Sequence, residues 1–278
     1  MPIPPPIDAV PQLYELDRRL LDLLRALTPE DWNAQTVARL WKVRDAAAHL
    51  LDGNIRILSL LRDQHHLEAP EIRSYEDLVA YLNGLNASWV QAMRRVSPQM
   101  LIQLHELTGP QFCDYYASLD PWVDAAFSVA WAGEQVSQNW FHIAREYTEK
   151  FLHQQQIRDA TGRPGILTQE LFGLYLDIQM RGLPHTFRAT EAPAGTRVRV
   201  RITGGGIRLA WDLLRQEAHW ALVPVQDHAP DAELQLPPDP AWKLFSKSLR
   251  PADVMDQAVL LGEERLARQA MELVAVMA

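Results

Sequence analysis

Cysteine is nearly absent from this chain, which contains only Cys113. A single thiol cannot form an internal disulfide framework, and it cannot build a zinc site of the kind that several cysteines hold. The same scarcity fits a reducing cytoplasm. Most lone cysteines in such proteins are small buried residues rather than catalysts, and we expect this of Cys113.

Basic charge and long apolar runs are also scarce. Lysine and arginine number 27 against 35 acidic residues, so the formal net charge is −8 and the pI is about 5.6. A nucleic-acid-binding protein usually has a basic face, and we therefore expect no nucleic acid as partner. No apolar run approaches the roughly 18 residues that a membrane helix needs. Residues 1–10 lack the basic and apolar regions of a signal peptide, so we expect a cytoplasmic protein with no membrane partner.

Apolar residues, by contrast, are plentiful at 47% of the chain, enough to bury a full core. The length of 278 residues suggests about two domains. Apolar residues recur at helical spacing over residues 9–27, 43–62, 74–93, 97–107 and 134–160. Thr28–Asp31 predicts a further helix start. Residues 109–133 are expected to be looser, because they contain Gly109-Pro110 and Asp120-Pro121.

The pattern changes after residue 165. Residues 166–183 predict one more helix, which would serve as a connector. Residues 196–203 alternate apolar and basic residues, which is typical of a half-buried strand whose arginines face solvent. Further strands are predicted over 207–213, 218–223, 232–236 and 259–262, and helices over 239–249 and 263–277. We therefore predict a helical bundle over 1–165, a connector over 166–190 and a smaller α+β domain over 191–278.

A carboxylate and an imidazole lie one helical turn apart at Glu149 and His153. Four residues return to nearly the same face of a helix, so these side chains could hold one divalent metal between them. His49, in an earlier predicted helix, is a further candidate ligand. Three protein ligands with an open position are typical of a catalytic rather than a structural metal site.

The spacing admits other interpretations. A Glu and a His four residues apart are common by chance and often form only an intrahelical pair on a solvated face. His142 and Glu146 share the polar stripe of this helix with Glu149 and His153. Spacing alone does not decide which pair would bind a metal.

Two sequence blocks carry a family resemblance. Residues Trp41 to Leu50 contain the pattern W-x-V-x-D-x-x-x-H-L, and Glu149 and His153 are followed by Arg158-Asp159. Together these blocks resemble the mycothiol-dependent maleylpyruvate isomerases, a branch of the DinB-like four-helix bundles. The segments AWKLF and GEERLARQAMELVAVMA are similar to the sterol-carrier-like α+β module that follows this bundle in many related proteins. The resemblance thus covers nearly the whole chain and implies that fold.

The resemblance also implies a divalent metal, with zinc expected, on His49, Glu149 and His153. It further implies mycothiol, or a similar low-molecular-weight thiol, as cosubstrate. A metal deprotonates a bound thiol, which would then attack a small electrophilic substrate in an isomerisation or an S-transfer. The alternative is a non-catalytic binding protein whose C-terminal module holds an apolar ligand or a protein partner.

Neighbouring polar residues could assist these ligands. Asp52 lies about one turn after His49 and Asp45 about one turn before it, so each could hold the imidazole or be a surface acid. Arg56, on the same helix face, could bind a substrate carboxylate or form an ordinary salt bridge, as could Arg158. Bundles of this type often pair through helix faces, which makes a homodimer a further expectation.

Overall fold

The computed structural model describes residues 6–66, 70–126 and 136–273. It divides into two compact units, formed by residues 1–126 with 149–165 and by residues 127–148 with 166–278. The first unit is helical and the second combines helices with a five-stranded sheet, which confirms the predicted fold class. The predicted domain limits stay a prediction. Within the described ranges, no helix has the length and apolar character that crossing a membrane requires.

The first unit is built from long helices that begin near the predicted positions. Helix α1 spans Val10–Arg25, α2 spans Val43–Ile57, α3 spans Tyr75–Met93 and α4 spans Pro98–Ala117. A π-helical turn over Leu58–Arg62 extends α2. Helix α5 spans Asn139–Thr161, and the predicted start of this helix at Glu134 lies outside the described residues. Helix α4 packs against both α1 and α2, and their apolar faces form the core, which includes Leu20, Leu24, Ala47, Leu51 and Leu101.

Local hydrogen bonds decide where helices start. Ser74 Oγ accepts a hydrogen bond from the backbone N–H of Asp77 (3.1 Å), and Asp77 Oδ2 accepts one from the N–H of Ser74 (3.1 Å), which is the predicted capping box of α3. Thr28 and Asp31 exchange the same kind of bonds, but only a 3₁₀ turn over Asp31–Asn33 follows. A helical turn therefore begins near the predicted start, but it is short, because the chain next pairs Gln35 with Lys42 in an isolated bridge.

Gly109 and Pro110 lie inside α4, so the looser segment predicted from residue 109 is wrong as far as Ala117. A proline inside a helix removes one backbone donor, and the packing of α4 against two other helices outweighs that local cost. Gly109 lies where α1 approaches α4. A Cβ atom on Gly109 would overlap the carboxylate of the buried Asp17.

We expect Gly109→Ala to destabilise the protein, although alanine favours helices. The added methyl group must displace the Asp17 carboxylate, and overpacking of this kind costs roughly 1–3 kcal/mol. Gly84→Ala in α3 is the matched control, because nothing lies within 4 Å of its added Cβ. There the change should stabilise by up to about 1 kcal/mol. Urea unfolding followed by circular dichroism measures both, and equal stability of the two variants would contradict the close approach.

The second unit contains helices and a sheet. Helix α6 spans Leu171–Met180 and α7 spans Leu183–Thr186. The strands are β1 (Arg197–Gly204), β2 (Ile207–Arg215), β3 (Trp220–Val223), β4 (Ala232–Leu236) and β5 (Val259–Gly262), in the spatial order β3-β2-β1-β4-β5. β1 and β4 are parallel, whereas the other neighbours are antiparallel. Helices α8 (Pro238–Phe245), α9 (Pro251–Val254) and α10 (Glu264–Ala270) complete the unit. α10 ends earlier than predicted, and residues 274–277 of that prediction lie outside the described residues.

At Arg197 and Arg199 the arginine face of β1 is buried rather than solvated, which corrects the prediction there. Arg197 and Arg199 are only 8% and 5% exposed. Both bind the fully buried Asp212 of β2, through Arg197 Nη1 at 2.9 Å and Arg199 Nε at 2.6 Å. Arg201 pairs with Glu233 at 2.6 Å. The alternating pattern therefore belongs to a strand with one apolar face and one face built from ion pairs, which is covered at Arg197 and Arg199 and partly exposed at Arg201.

Candidate metal centre

The start of α2 places His49 two turns into the helix. Asp45 Oδ2 accepts a hydrogen bond from the backbone N–H of Lys42 (3.1 Å), which caps the helix. Asp45 also binds Arg94 Nε at 3.2 Å. The carboxylate predicted to orient His49 is therefore used for capping and for an ion pair with the end of α3.

Three side chains from α2 and α5 converge inside the first unit. His49 Nε2 lies 3.8 Å from Glu149 Oε2, and His153 Nε2 lies 3.4 Å from the same oxygen. One candidate ligand atom of each residue lies within 4.8 Å of the others. The two histidines are 8% and 9% exposed, so the cluster is largely shielded from solvent. The structure thus brings together the three residues that the sequence singles out, and their binding of a metal stays a prediction.

The indole of Trp41 forms one wall of this cluster. Its ring centroid lies 4.6 Å from that of His49 and 5.3 Å from that of His153. The backbone carbonyl of Trp41 accepts hydrogen bonds from Gln35 Nε2 (2.8 Å) and Thr36 Oγ1 (2.7 Å), which fix the loop that carries it. Trp41 was not among the predicted site residues, and its place in the W-x-V-x-D-x-x-x-H-L pattern is the one sequence signal that pointed to it.

Burial and neighbouring groups shift the pKa values of His49 and Glu149. Burial lowers the pKa of His49, and the nearby His153 lowers it further, against the opposing effect of Glu149. Burial alone would raise the pKa of Glu149, but hydrogen bonding to His153 and His49 and their charges lower it well below its usual range. An ionised carboxylate beside neutral imidazole is the state that metal binding requires.

The polar atoms around the cluster fit a divalent metal. Two imidazole nitrogens and one carboxylate oxygen converge, which is the donor set of many three-ligand zinc sites. Two neighbouring buried atoms, His49 Nδ1 and Asp52 Oδ2, have no hydrogen-bond partner. Asp52 lies 3.7 Å from Arg56 Nη2, and burial raises the pKa of its carboxyl. Asp52 and Arg56, which were both predicted to assist the site, therefore form an ion pair with each other.

The alternative pair on α5 belongs to the second unit. His142 Nε2 lies 3.5 Å from Glu146 Oε1, and Arg145 Nη2 lies 2.7 Å from the same oxygen. Within residues 6–66, 70–126 and 136–273, one group of three or more His, Cys, Asp and Glu side chains has metal-binding spacing, namely His49, Glu149 and His153. Neither His142 nor Glu146 is part of it.

Two other candidates have structural surroundings. Arg158 donates hydrogen bonds to the backbone carbonyls of Pro164 (3.0 Å) and Arg19 (3.1 Å). Its guanidinium therefore binds the segment that follows α5 and the backbone of α1. Its predicted carboxylate-binding role is therefore not supported by its contacts. Cys113 is fully buried, and burial raises the pKa of its thiol to about 12. The expectation that Cys113 is a small buried residue is confirmed.

Comparison with known proteins decides the family. Residues 13–158, more than half of the chain, match the model of the mycothiol maleylpyruvate isomerase N-terminal domain. The chain belongs to this family. The solved structures of the mycothiol-dependent maleylpyruvate isomerase and of its His-to-Ala mutant each match 90% of this chain and 92% of their own, with a TM-score of 0.51 and 12% identity. At that identity they show a shared fold alone, and no curated protein matches the chain.

Proposed function

We propose that this protein is a metal-dependent enzyme that uses a low-molecular-weight thiol of the mycothiol type on a small electrophilic substrate. The reaction is an isomerisation or an S-transfer. The observation that carries the proposal is the convergence of His49 Nε2 and His153 Nε2 on one oxygen of Glu149, at 3.8 and 3.4 Å. Membership of the mycothiol maleylpyruvate isomerase family supports the choice of thiol.

The three ligands would hold the metal, for which zinc is the expected ion, and leave coordination positions open. When bound, such a metal lowers the pKa of a coordinated thiol and so supplies a nucleophile at neutral pH. Glu149 is the one carboxylate of the group, so it offsets only half of a divalent charge. The remaining positive charge favours an anionic sulfur at this place.

Trp41 would serve as a water-excluding wall. Its indole packs against both imidazoles and is held by the hydrogen bonds to its backbone. A lower local dielectric strengthens every charge interaction at the cluster. The covering ring also restricts rotation of His49 and His153, which keeps Nε2 of each directed at Glu149.

The isomerisation consumes no oxidant or reductant. The thiolate sulfur adds to one carbon of the substrate double bond, and the π electrons move onto the adjacent carbonyl group that makes the bond electrophilic. Rotation follows about the resulting single bond, and the same electron pair re-forms the double bond as the thiolate leaves. An S-transfer would instead keep the new carbon–sulfur bond and displace a leaving group. Both need a deprotonated thiol and no cysteine of the protein, in agreement with the burial of Cys113.

Thiol binding to the cobalt-substituted protein tests this proposal. Addition of mycothiol should produce a sulfur-to-cobalt charge-transfer band, whereas the S-methylated thiol should not. The His153→Ala variant should show no such band. A metal-loaded protein without any thiol-dependent band would contradict the proposal and favour the non-catalytic binding protein.

Turnover then separates the reactions. Loss of maleylpyruvate absorbance should depend on both metal and mycothiol if the protein isomerises that substrate. A thiol-dependent band without turnover of maleylpyruvate would support the metal–thiol centre and exclude maleylpyruvate as the substrate.

A further inference from the structure

The imidazole of His153 has a second partner, on its other nitrogen. His153 Nδ1 lies 2.9 Å from Oε1 of Gln156, which is three residues further along α5. Gln156 is only 4% exposed, so water does not compete for this contact. The two nitrogens of the ring therefore have separate partners, because Nε2 faces Glu149 at 3.4 Å.

We propose that Gln156 is a positioning residue for the metal ligand His153. This inference rests on the metal centre proposed above. An amide oxygen can only accept a hydrogen bond, so Nδ1 of His153 must carry the proton. Nε2 then carries the lone pair, and it is the nitrogen that faces Glu149 and His49.

The contact distinguishes the two histidines. His49 Nδ1 has no hydrogen-bond partner, whereas His153 Nδ1 is held by Gln156. His153 is thus the histidine of the pair whose tautomer is fixed by a hydrogen bond to a neighbouring side chain. Removal of such a hydrogen-bond partner typically lowers metal affinity about 10- to 100-fold, because the ligand is no longer held in the right orientation.

The side-chain amide of Gln156 carries no charge, and this affects the net charge of the site. Many metal-bound histidines donate to a carboxylate, which adds negative charge to the site. Gln156 fixes the ring without adding charge, so Glu149 remains the one carboxylate of the group formed with His49 and His153. The centre therefore keeps more positive charge for an anionic ligand than a carboxylate partner would leave.

Adjacent glutamines provide a matched set of variants. Gln156→Leu removes the acceptor with little change of volume, and Gln156→Glu keeps an acceptor at the same place. Gln155→Leu is the control, because Gln155 is also buried, at 6% exposure, and its Oε1 has no hydrogen-bond partner. All three changes lie on one turn of the same helix.

Zinc affinity, measured by competition with a chromophoric chelator, tests the inference. Gln156→Leu should weaken zinc binding about 10- to 100-fold, whereas Gln156→Glu and Gln155→Leu should stay within about threefold of the wild type. The ligand-field spectrum of the cobalt form should change in Gln156→Leu and not in Gln155→Leu. A merely structural role would move the unfolding midpoint but not that spectrum.

Unchanged zinc affinity in Gln156→Leu, or an equal loss in Gln155→Leu, would overturn the positioning role. If Gln156→Leu fails to fold, as judged by circular dichroism of the metal-free protein, the Glu variant decides. A loss beyond about tenfold in a folded Gln156→Glu would overturn the inference, since the acceptor is retained. A wild-type protein that binds no zinc would instead overturn the proposed function itself, so the two failures are distinguishable.

Discussion

His49→Ala and His153→Ala are each expected to abolish stoichiometric zinc binding. Each substitution removes one of three ligand atoms that lie within 4.8 Å of one another, and the two ligands that remain cannot complete a three-ligand site. The loss of affinity should exceed the roughly 100-fold that removal of an outer hydrogen bond costs. Chelator competition followed by elemental analysis of the desalted protein measures it.

His142→Ala is the control for this prediction. His142 lies on the same helix as His153 and is buried to 3% exposure, but it pairs with Glu146 and is not part of the converging group. Zinc affinity should therefore be unchanged. Loss of zinc in His142→Ala together with retention in His153→Ala would show that His142 and Glu146 bind the metal instead.

Asp212→Asn is expected to cause the largest loss of stability, about 3–5 kcal/mol in the free energy of unfolding. Asp212 is fully buried and accepts hydrogen bonds from Arg197 and Arg199 and from the backbone N–H of Gln226 (3.2 Å). Removal of its charge leaves two nearly buried guanidinium groups without their counterion. Urea unfolding at neutral pH measures the loss.

Glu264→Gln is the matched surface change. Glu264 pairs with Arg268 at 2.5 Å, but its side chain is 62% exposed, and exposed pairs contribute less than about 1 kcal/mol. A loss in Asp212→Asn no larger than that in Glu264→Gln would contradict the buried ion-pair face of β1.

The same carboxylate makes stability depend on pH. Burial would raise the pKa of Asp212, but hydrogen bonds from Arg199, from the Gln226 N–H and from Arg197 lower it. Because the folded pKa lies below the unfolded value of about 3.9, this stabilisation is present above pH 4 or so and is lost as pH falls through the folded pKa. The stability difference between wild type and Asp212→Asn should therefore shrink in acid, as urea unfolding across that range would show. A constant difference would exclude Asp212 as the titrating group.

Much of the fold follows from local sequence patterns. Helical periodicity located α1 to α5, and Ser74 with Asp77 marked the start of α3, because these signals act within a few residues. The same reasoning failed at Gly109-Pro110, where packing of α4 against α1 and α2 decides the outcome. It also failed on the arginines of β1, since their burial depends on Asp212 in the neighbouring strand.

The candidate site was predictable to a similar degree. Residue types and spacing, with the family pattern, nominated His49, Glu149 and His153, and the structure places them together. The contacts of Trp41 and Gln156 with the imidazoles could not be predicted, because ring packing and rotamer choice depend on three-dimensional placement. Asp45 was predicted to assist the site, but it caps α2, because an acidic residue one turn before a histidine can serve either purpose and the sequence does not tell them apart.

The metal content of the purified protein tests the central claim most directly. Protein expressed in metal-replete medium and desalted without chelator should contain one divalent transition metal ion per chain, with zinc as the expected ion. A His49→Ala/His153→Ala double variant prepared alongside should contain none. Wild-type protein that is folded but carries no appreciable transition metal would contradict the account.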